Sequence, residues 1–193
     1  MSEEERERGR RFEELFGAYG ADIVDYCGWR AGCVSDAQDA VAEVFLTAWR
    51  RLDEVPRGDA ARVWLYATAR RVIANQRRST RRGAALVERM AITTAPDPQG
   101  DPEASLVHEA LRQLNAIDRE VLLLSEWEGL SPAQIASVLH CPKVTARGRL
   151  HRARRRFRST FEELIAGEHG ERRSRAAPRV PARSVTHADG GKP

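Results

Sequence analysis

The chain has 193 residues, a hydrophobic fraction of 41% and a formal net charge of +4, values that suit one folded domain or two small ones. No apolar run reaches the roughly 18 residues of a membrane span, and the opening MSEEERERGRR lacks the apolar stretch of a secretory signal, so a cytoplasmic protein is expected. The modest net charge conceals a segregation. Ten acidic residues stand against four arginines from Phe12 to Asp59, while Arg62–Arg82 holds seven arginines and no acid. Asp97–Glu128 is acidic again, and Lys143–Arg158 carries Lys143 and seven arginines with no acid among them. Two basic stretches separated by acidic ones imply two contacts with a polyanion and protein contacts elsewhere.

Residues 1–11 alternate in charge, lack apolar anchors and are expected to fray. The first packed helix is placed from Phe12, with Phe12, Leu15, Phe16, Tyr19 and Ile23 on one face. Gly17 and Gly20 weaken it by up to roughly 1 kcal/mol each, which implies close packing there or a different boundary. Cys27 and Cys33, with Cys141 further on, have no metal-ligand spacing and read as reduced thiols. Ser35-Asp36-Ala37-Gln38 fits a capping box for a second helix whose buried stripe is Ala37, Val41, Val44, Ala48 and Leu52. Asp39 and Glu43, four apart, share a face of it. Such a pair can serve a metal, acid–base chemistry or a basic partner. With Asp36 it could suggest a phosphodiester-processing site, but no histidine or lysine lies near to complete one. No catalytic, metal-binding or cofactor-binding residue is assigned, and no cofactor is expected.

Val55-Pro56-Arg57-Gly58-Asp59 reads as a loop. A third helix follows from about Ala60 to Arg78, with Val63, Trp64, Leu65, Ala69, Val72 and Ile73 inward. Arg62, Arg70, Arg71, Gln76, Arg77 and Arg78 point outward. Trp64 reads as core, whereas Tyr66 fits either the core or the stacking of an unpaired base beside a positive groove. ITTAPDPQGDPE has linker composition, and 83–103 is taken as the boundary between a helical domain over 12–82 and a second over 104–164. In the second, Leu106, Ala110, Leu111 and Leu114 make one helix. Asp118 can cap another, which Gly129 ends. Residues 165–193 show no core-forming pattern and are expected to be disordered.

Ser131-Pro132-Ala133-Gln134 again fits a capping box with proline at the first helical position. His140-Cys141-Pro142 breaks that short helix. The pattern resumes with Ala146, Leu150, Ala153 and Phe157 at roughly 3.6-residue spacing, and arginine fills most outward positions. A short helix, a turn and a basic helix make a helix-turn-helix, whose second member enters a major groove. The fold class is therefore all-α, two small helical domains joined by a flexible linker.

Three stretches, DAQDAVAEVFLTAWRRL, WLYATARRVIANQRR and CPKVTARGRLHRARR, stand in an order that resembles bacterial sigma factors of the extracytoplasmic-function group. The resemblance covers roughly residues 12–82 and 104–164 and implies two helical domains, regions 2 and 4, that direct core RNA polymerase to promoter DNA. It implies that Asp39 and Glu43 face the polymerase, with Phe45 and Trp49 supporting that helix from within; Ala42 replaces a frequent glutamine. Arg57, Gly58 and Asp59 resemble the loop that pockets a base flipped out of the −10 element. Tyr66, Arg70, Arg71, Arg77 and Arg78 fall on the helix along the non-template strand, where Arg71 and Asn75 replace a common asparagine and aspartate.

In VTARGRLHRAR, positions 147, 148, 151 and 152 match residues facing the −35 element. They also fall on one helical face, opposite the apolar stripe, without the family's help. Arg147, His151 and Arg152 are the expected base-reading side chains, and Gly148, where the family has serine, reads nothing itself. Lys143, Thr145, Arg149 and Arg154 are expected to hold phosphates. Many relatives are held by an anti-sigma factor, though no residue here identifies one. The rival reading is a dimeric helix-turn-helix regulator that binds a symmetric operator without polymerase. It accounts for the second domain and leaves the arginine stretch after Asp59 unexplained.

Overall fold

The computed structural model describes residues 2–84 and 102–176, with side chains over 2–79 and 105–167. Helix α1 spans Glu3–Arg30 and so takes in the residues expected to fray. Ser2 is the reason. Its hydroxyl accepts from the Glu5 N–H at 3.2 Å, and the Glu5 carboxylate accepts from the Ser2 N–H at 2.7 Å. Arg8 then donates to Asp53 and to the Trp49 carbonyl, and Arg11 to the Val55 carbonyl, which ties the first turns to the stretch from residue 49 to residue 55. No close packing requires a glycine within α1. An added Cβ at Gly17 meets nothing within 4 Å, and one at Gly20 meets the Phe16 ring at an ordinary 3.6 Å.

Helix α2 spans Val34–Arg50 and begins ahead of Ser35. The cap is Cys33, whose sulfur accepts from the Asp36 N–H at 3.5 Å. A 3₁₀ turn over Leu52–Glu54 leads to α3, Asp59–Ala84. The stretch assigned to the linker lies, from 85 to 101, outside the described residues. Helices α4 (Pro102–Gln113), α5 (Ala116–Glu126), α6 (Pro132–Leu139) and α7 (Lys143–Ala176) follow. Asn115, not Asp118, caps α5; its side-chain oxygen accepts from the N–H groups of Ile117 and Asp118. Helix α7 continues past Leu164, so 165–176 is helical where disorder was expected; 177–193 lies outside the described residues.

Helices α1, α2 and α3 pack on one another, burying Ile23, Tyr26, Val44, Ala48, Leu65 and Ala69. The stripe read from α2 shifts by a fraction of a turn: Ala40, Val44, Phe45 and Ala48 are buried, while Ala37 and Val41 are half-buried. Helices α5, α6 and α4 pack around α7, whose Ala146, Leu150 and Ala153 are buried against Val121, Leu124, Ile135 and Val138. Helix α3 also lies on α6, which joins the two bundles.

Candidate nucleic-acid interface

The helix-turn-helix is built by local chemistry. Ser131 and Gln134 form the capping box read from the sequence, with Pro132 in the first turn of α6. His140, in the left-handed conformation at φ 49°, ends that helix, and the Cys141 N–H returns to the Ala136 carbonyl at 3.0 Å. The break is therefore a left-handed cap at a residue other than glycine, with Pro142 following it. This places α7 across α6 with its small-residue stripe inward. Lys143, Arg147, His151, Arg152 and Arg154 are exposed, while Thr145, Gly148 and Arg149 are half-buried. Arg154 is already engaged: it donates to Glu126 at 2.7 and 2.9 Å and to the Ser125 hydroxyl at 3.2 Å. Arg156 anchors the helix by donating to Asp118, itself buried and held by the Asn115 amide at 2.7 Å.

The loop before α3 turns at Gly58, φ 63°, and Arg57, Gly58 and Asp59 are all exposed. A cavity of about 260 Å³ opens beside it, lined by Arg11, Tyr19, Leu52, Pro56, Arg57 and Gly58 among others. It falls just below the roughly 300–1,000 Å³ of drug-sized sites, a scale suited to a single flat ring system. Sequence reasoning missed the contributions of Arg11 and Tyr19, which come from α1.

Along α3 several of the outward arginines are already engaged. Arg62 donates to Asp22 at 2.8 Å and to the Tyr66 hydroxyl at 3.2 Å. Arg71 meets the His140 Nε2 at 2.5 Å, and Arg77 donates to the Arg30 carbonyl at 2.6 Å. Arg70, Arg77 and Arg78 line a cavity of about 590 Å³ closed on the far side by Ile117, Glu120 and Arg149 of the second bundle. Of the two roles open to Tyr66 the fold takes the core one, against its expected place on the −10 strand: it is 0% exposed and presents no ring to solvent. Its hydroxyl donates to Glu128 at 2.8 Å, and burial together with that carboxylate pushes its pKa up.

That bond belongs to a network that no sequence motif announced. Arg30, at the end of α1 and only 7% exposed, donates through Nε to Glu120 at 2.7 Å and through Nη1 to Glu128 at 3.4 Å. Its guanidinium lies 3.6 Å from the Tyr26 ring centroid. The buried Tyr26 hydroxyl donates to Glu120 at 2.7 Å, and desolvation raises its pKa, with Glu120 adding to the effect. Desolvation opposes the charge on Arg30, but Glu120 and Glu128 outweigh it and its pKa rises. Burial also raises Glu128, more than Tyr66 and Arg30 lower it. Nearby, burial moves the Cys27 thiol up to about 11, which leaves it an unreactive core residue. Trp29 stacks on His108 at 4.7 Å and meets Trp127 at 6.1 Å across the same seam.

On α2, Asp39 and Glu43 are exposed side by side. Leu46 and Trp49, 41% and 39% exposed, continue the stripe. Trp49 is thus more than an internal support, although it packs edge-on against Phe12 at 5.2 Å. Among the described residues no three metal-ligating side chains gather into a site, and no helix is long and apolar enough to cross a membrane.

Residues 15–83 match the family of Sigma-70 region 2, and residues 104–157 match Sigma-70, region 4. The chain is 33% identical over 165 residues to the ECF RNA polymerase sigma factor SigL of Mycobacterium tuberculosis, across 78% of this chain and 88% of that one. It is 34% identical over 146 residues to the ECF RNA polymerase sigma-E factor of Escherichia coli, across 67% and 76%. Its fold is similar to that of the sigma factor RpoE of Bartonella quintana, solved in complex with the anti-sigma factor NepR. That likeness has a TM-score of 0.68 at 22% identity and covers 78% of this chain and 96% of that one. CnrH, solved with the cytosolic domain of CnrY, gives a TM-score of 0.58 at 22% identity over 80% and 90%.

Proposed function

We propose how the work is divided along a chain that belongs to the extracytoplasmic-function sigma factors of the sigma-70 family. Such a chain directs core RNA polymerase to promoters and takes part in transcription initiation. The family is not known for catalysis, and this chain acts in the cytoplasm through the polymerase. The match to region 2 has no place in a dimeric operator-binding regulator.

In the second bundle, Arg147, His151 and Arg152 read base edges of the −35 element from the major groove, and Gly148 leaves one position without a side chain. Lys143, Thr145, Arg149 and Arg154 hold phosphates. In the first, the cavity beside Arg57, Gly58 and Asp59 takes a base flipped out of the −10 element. The α3 arginines at positions 70, 71, 77 and 78 follow the strand. Asp39 and Glu43 with Leu46 form the docking stripe for polymerase. An anti-sigma factor, of the kind that accompanies the B. quintana neighbour, is a further partner.

The observation that carries this reading is the exposed Arg147–His151–Arg152 face set over the buried Ala146–Leu150–Ala153 stripe, in a chain that matches both sigma regions. The test is association with core RNA polymerase from the native host, followed by transcription from a genomic library. New start sites sharing two spaced elements are expected. Absence of polymerase binding, with footprinting of a symmetric duplex by the protein alone, would overturn it.

A further inference from the structure

We propose that Val144, in the first turn of α7, is a specificity-determining residue that reads the 5-methyl group of a thymine in the −35 element. This rests on the promoter-reading function above and adds an apolar contact to the arginine and histidine contacts assigned there.

Position carries the argument. Val144 is 81% exposed, the most exposed large apolar side chain among the described residues. A lone apolar side chain on a surface needs no explanation by itself. This one opens a strip of Val144, Gly148, His151 and Arg155, in which each member precedes by two residues a member of the inward stripe Ala146, Leu150, Ala153 and Phe157. Two residues are roughly 200° of helical turn, so the strip looks away from the core of the second bundle. Val144 stands at its N-terminal end, and the N-terminal residues of a recognition helix are those that meet base edges.

The surroundings are those of a groove-facing surface. No acidic residue occurs from Cys141 to Arg158. Exposed Lys143 and Arg147 flank the strip on one side and exposed Arg152 on the other. Gly148, one turn beyond Val144, adds no side chain, and a Cβ there would meet only Arg152 Nη1, at 3.4 Å. The strip is therefore open beside Val144, and the backbone at Gly148 can approach a groove floor closely.

Chemistry selects what Val144 can read. The base edges in a major groove present hydrogen-bond donors and acceptors, and a single kind of apolar group, the thymine methyl. A valine side chain neither donates nor accepts. Set over a guanine, adenine or cytosine edge, it would take water from polar groups and return no bond. Set over a thymine, it covers a methyl group with its own. Within the fold the residue gains no such burial, and valine is a poorer helix former than alanine. The cations beside it hold phosphates or guanine edges and bring it to the groove, where it distinguishes thymine from the other bases.

The test uses the full-length chain bound to core RNA polymerase from its native host. Promoter duplexes are selected from a library randomised across the −35 region. Each −35 thymine of the selected sequence is then replaced in turn by deoxyuridine, which removes the methyl group and keeps every hydrogen-bonding group. Loss of one covered methyl should weaken wild-type binding about fourfold at one position. Val144→Ala should bind the thymine promoter about fourfold less tightly than wild type and show no thymine–deoxyuridine difference there, with helicity by circular dichroism retained. Arg152→Ala should keep that difference. Equal deoxyuridine losses in wild type and Val144→Ala, no loss at any thymine, or a selected element without thymine would overturn the methyl contact, while an element that depends on Arg152 leaves promoter reading intact. A selection that returns no −35 element overturns both.

Discussion

The Tyr66 hydroxyl donates to Glu128 at 2.8 Å, although 62 residues and the stretch between the bundles separate the two in sequence. Burial raises the pKa of Glu128 above its ordinary 4.5, against the lowering by Tyr66, Arg30 and Arg62. The folded chain therefore binds that proton more tightly than the unfolded chain does. The stability Glu128 contributes is complete below about pH 4.5 and is lost as pH rises through the raised value. Glutamine, which cannot ionise, should remove this dependence. Urea titrations of wild type and Glu128→Gln from pH 4.5 to 7.5 should show wild type losing stability relative to the variant as pH rises. A constant difference would show that Glu128 does not titrate in this range.

The loop beside the small cavity of the first bundle depends on backbone conformation alone. Gly58 has φ 63°, and a Cβ there would meet nothing within 4 Å. Gly58→Ala should therefore cost about 1 kcal/mol without any clash, and Gly58→Asn less, because asparagine tolerates the left-handed region. Denaturant midpoints of the two variants check the order. Equal loss would mean that the side chain, not the backbone, decides.

How far the sequence predicts these features depends on how local each one is. Ser131, Pro132 and Gln134 interact within one turn, so their capping box was legible, as was the Ala146–Leu150–Ala153 stripe. Cys33 was not foreseen as a cap because sulfur is a weak acceptor and Ser35 offered a better one. His140 in the left-handed region was hidden for a similar reason, since glycine is the usual residue there. Tyr66 was ambiguous by chemistry: a flat ring with a polar tip suits a core or a nucleic-acid groove. What decided it was Glu128, and pairing over such separation leaves no periodic trace. Arg30 gave one faint sign, a lone cation ending the run of Ile23, Tyr26 and Trp29.

Gly148 lies on the face of α7 proposed above to meet DNA, and a Cβ there would sit 3.4 Å from Arg152 Nη1, the mobile end of a long side chain. Gly148→Ser should fit and stabilise the helix by about 0.5 kcal/mol through propensity. It should also sharpen preference at one −35 position, read by selection from a randomised promoter. Unchanged preference would place Gly148 off the base-reading face.

Asp39 is exposed and has no structural partner in the fold described above, so Asp39→Arg should change stability by less than about 0.5 kcal/mol. Core-polymerase binding should nevertheless be lost, because the substitution reverses a charge in the proposed docking stripe. Circular dichroism and a polymerase pull-down separate the two effects. Retained binding removes α2 from the docking surface.

Arg152 and Arg154 lie two residues apart on α7 yet should behave differently. Among the described residues Arg152 has no acidic partner, and it is exposed where it can reach a guanine edge, a contact worth about 1–3 kcal/mol of discrimination. Arg152→Ala should therefore relax preference at a single −35 position. Arg154 is held by Glu126, so any phosphate must compete with that carboxylate. Arg154→Ala should weaken all sequences alike and lower the salt slope by less than the roughly one unit of a free arginine. Glu126→Gln tests the competition from the other side: by releasing Arg154 it should tighten binding to every duplex without altering preference. The three variants are compared on one promoter series at several salt concentrations. If Arg154→Ala relaxed preference as Arg152→Ala does, the assignment of Arg154 to the phosphate backbone would be wrong. If Glu126→Gln changed nothing, the ion pair would not restrain Arg154 in solution.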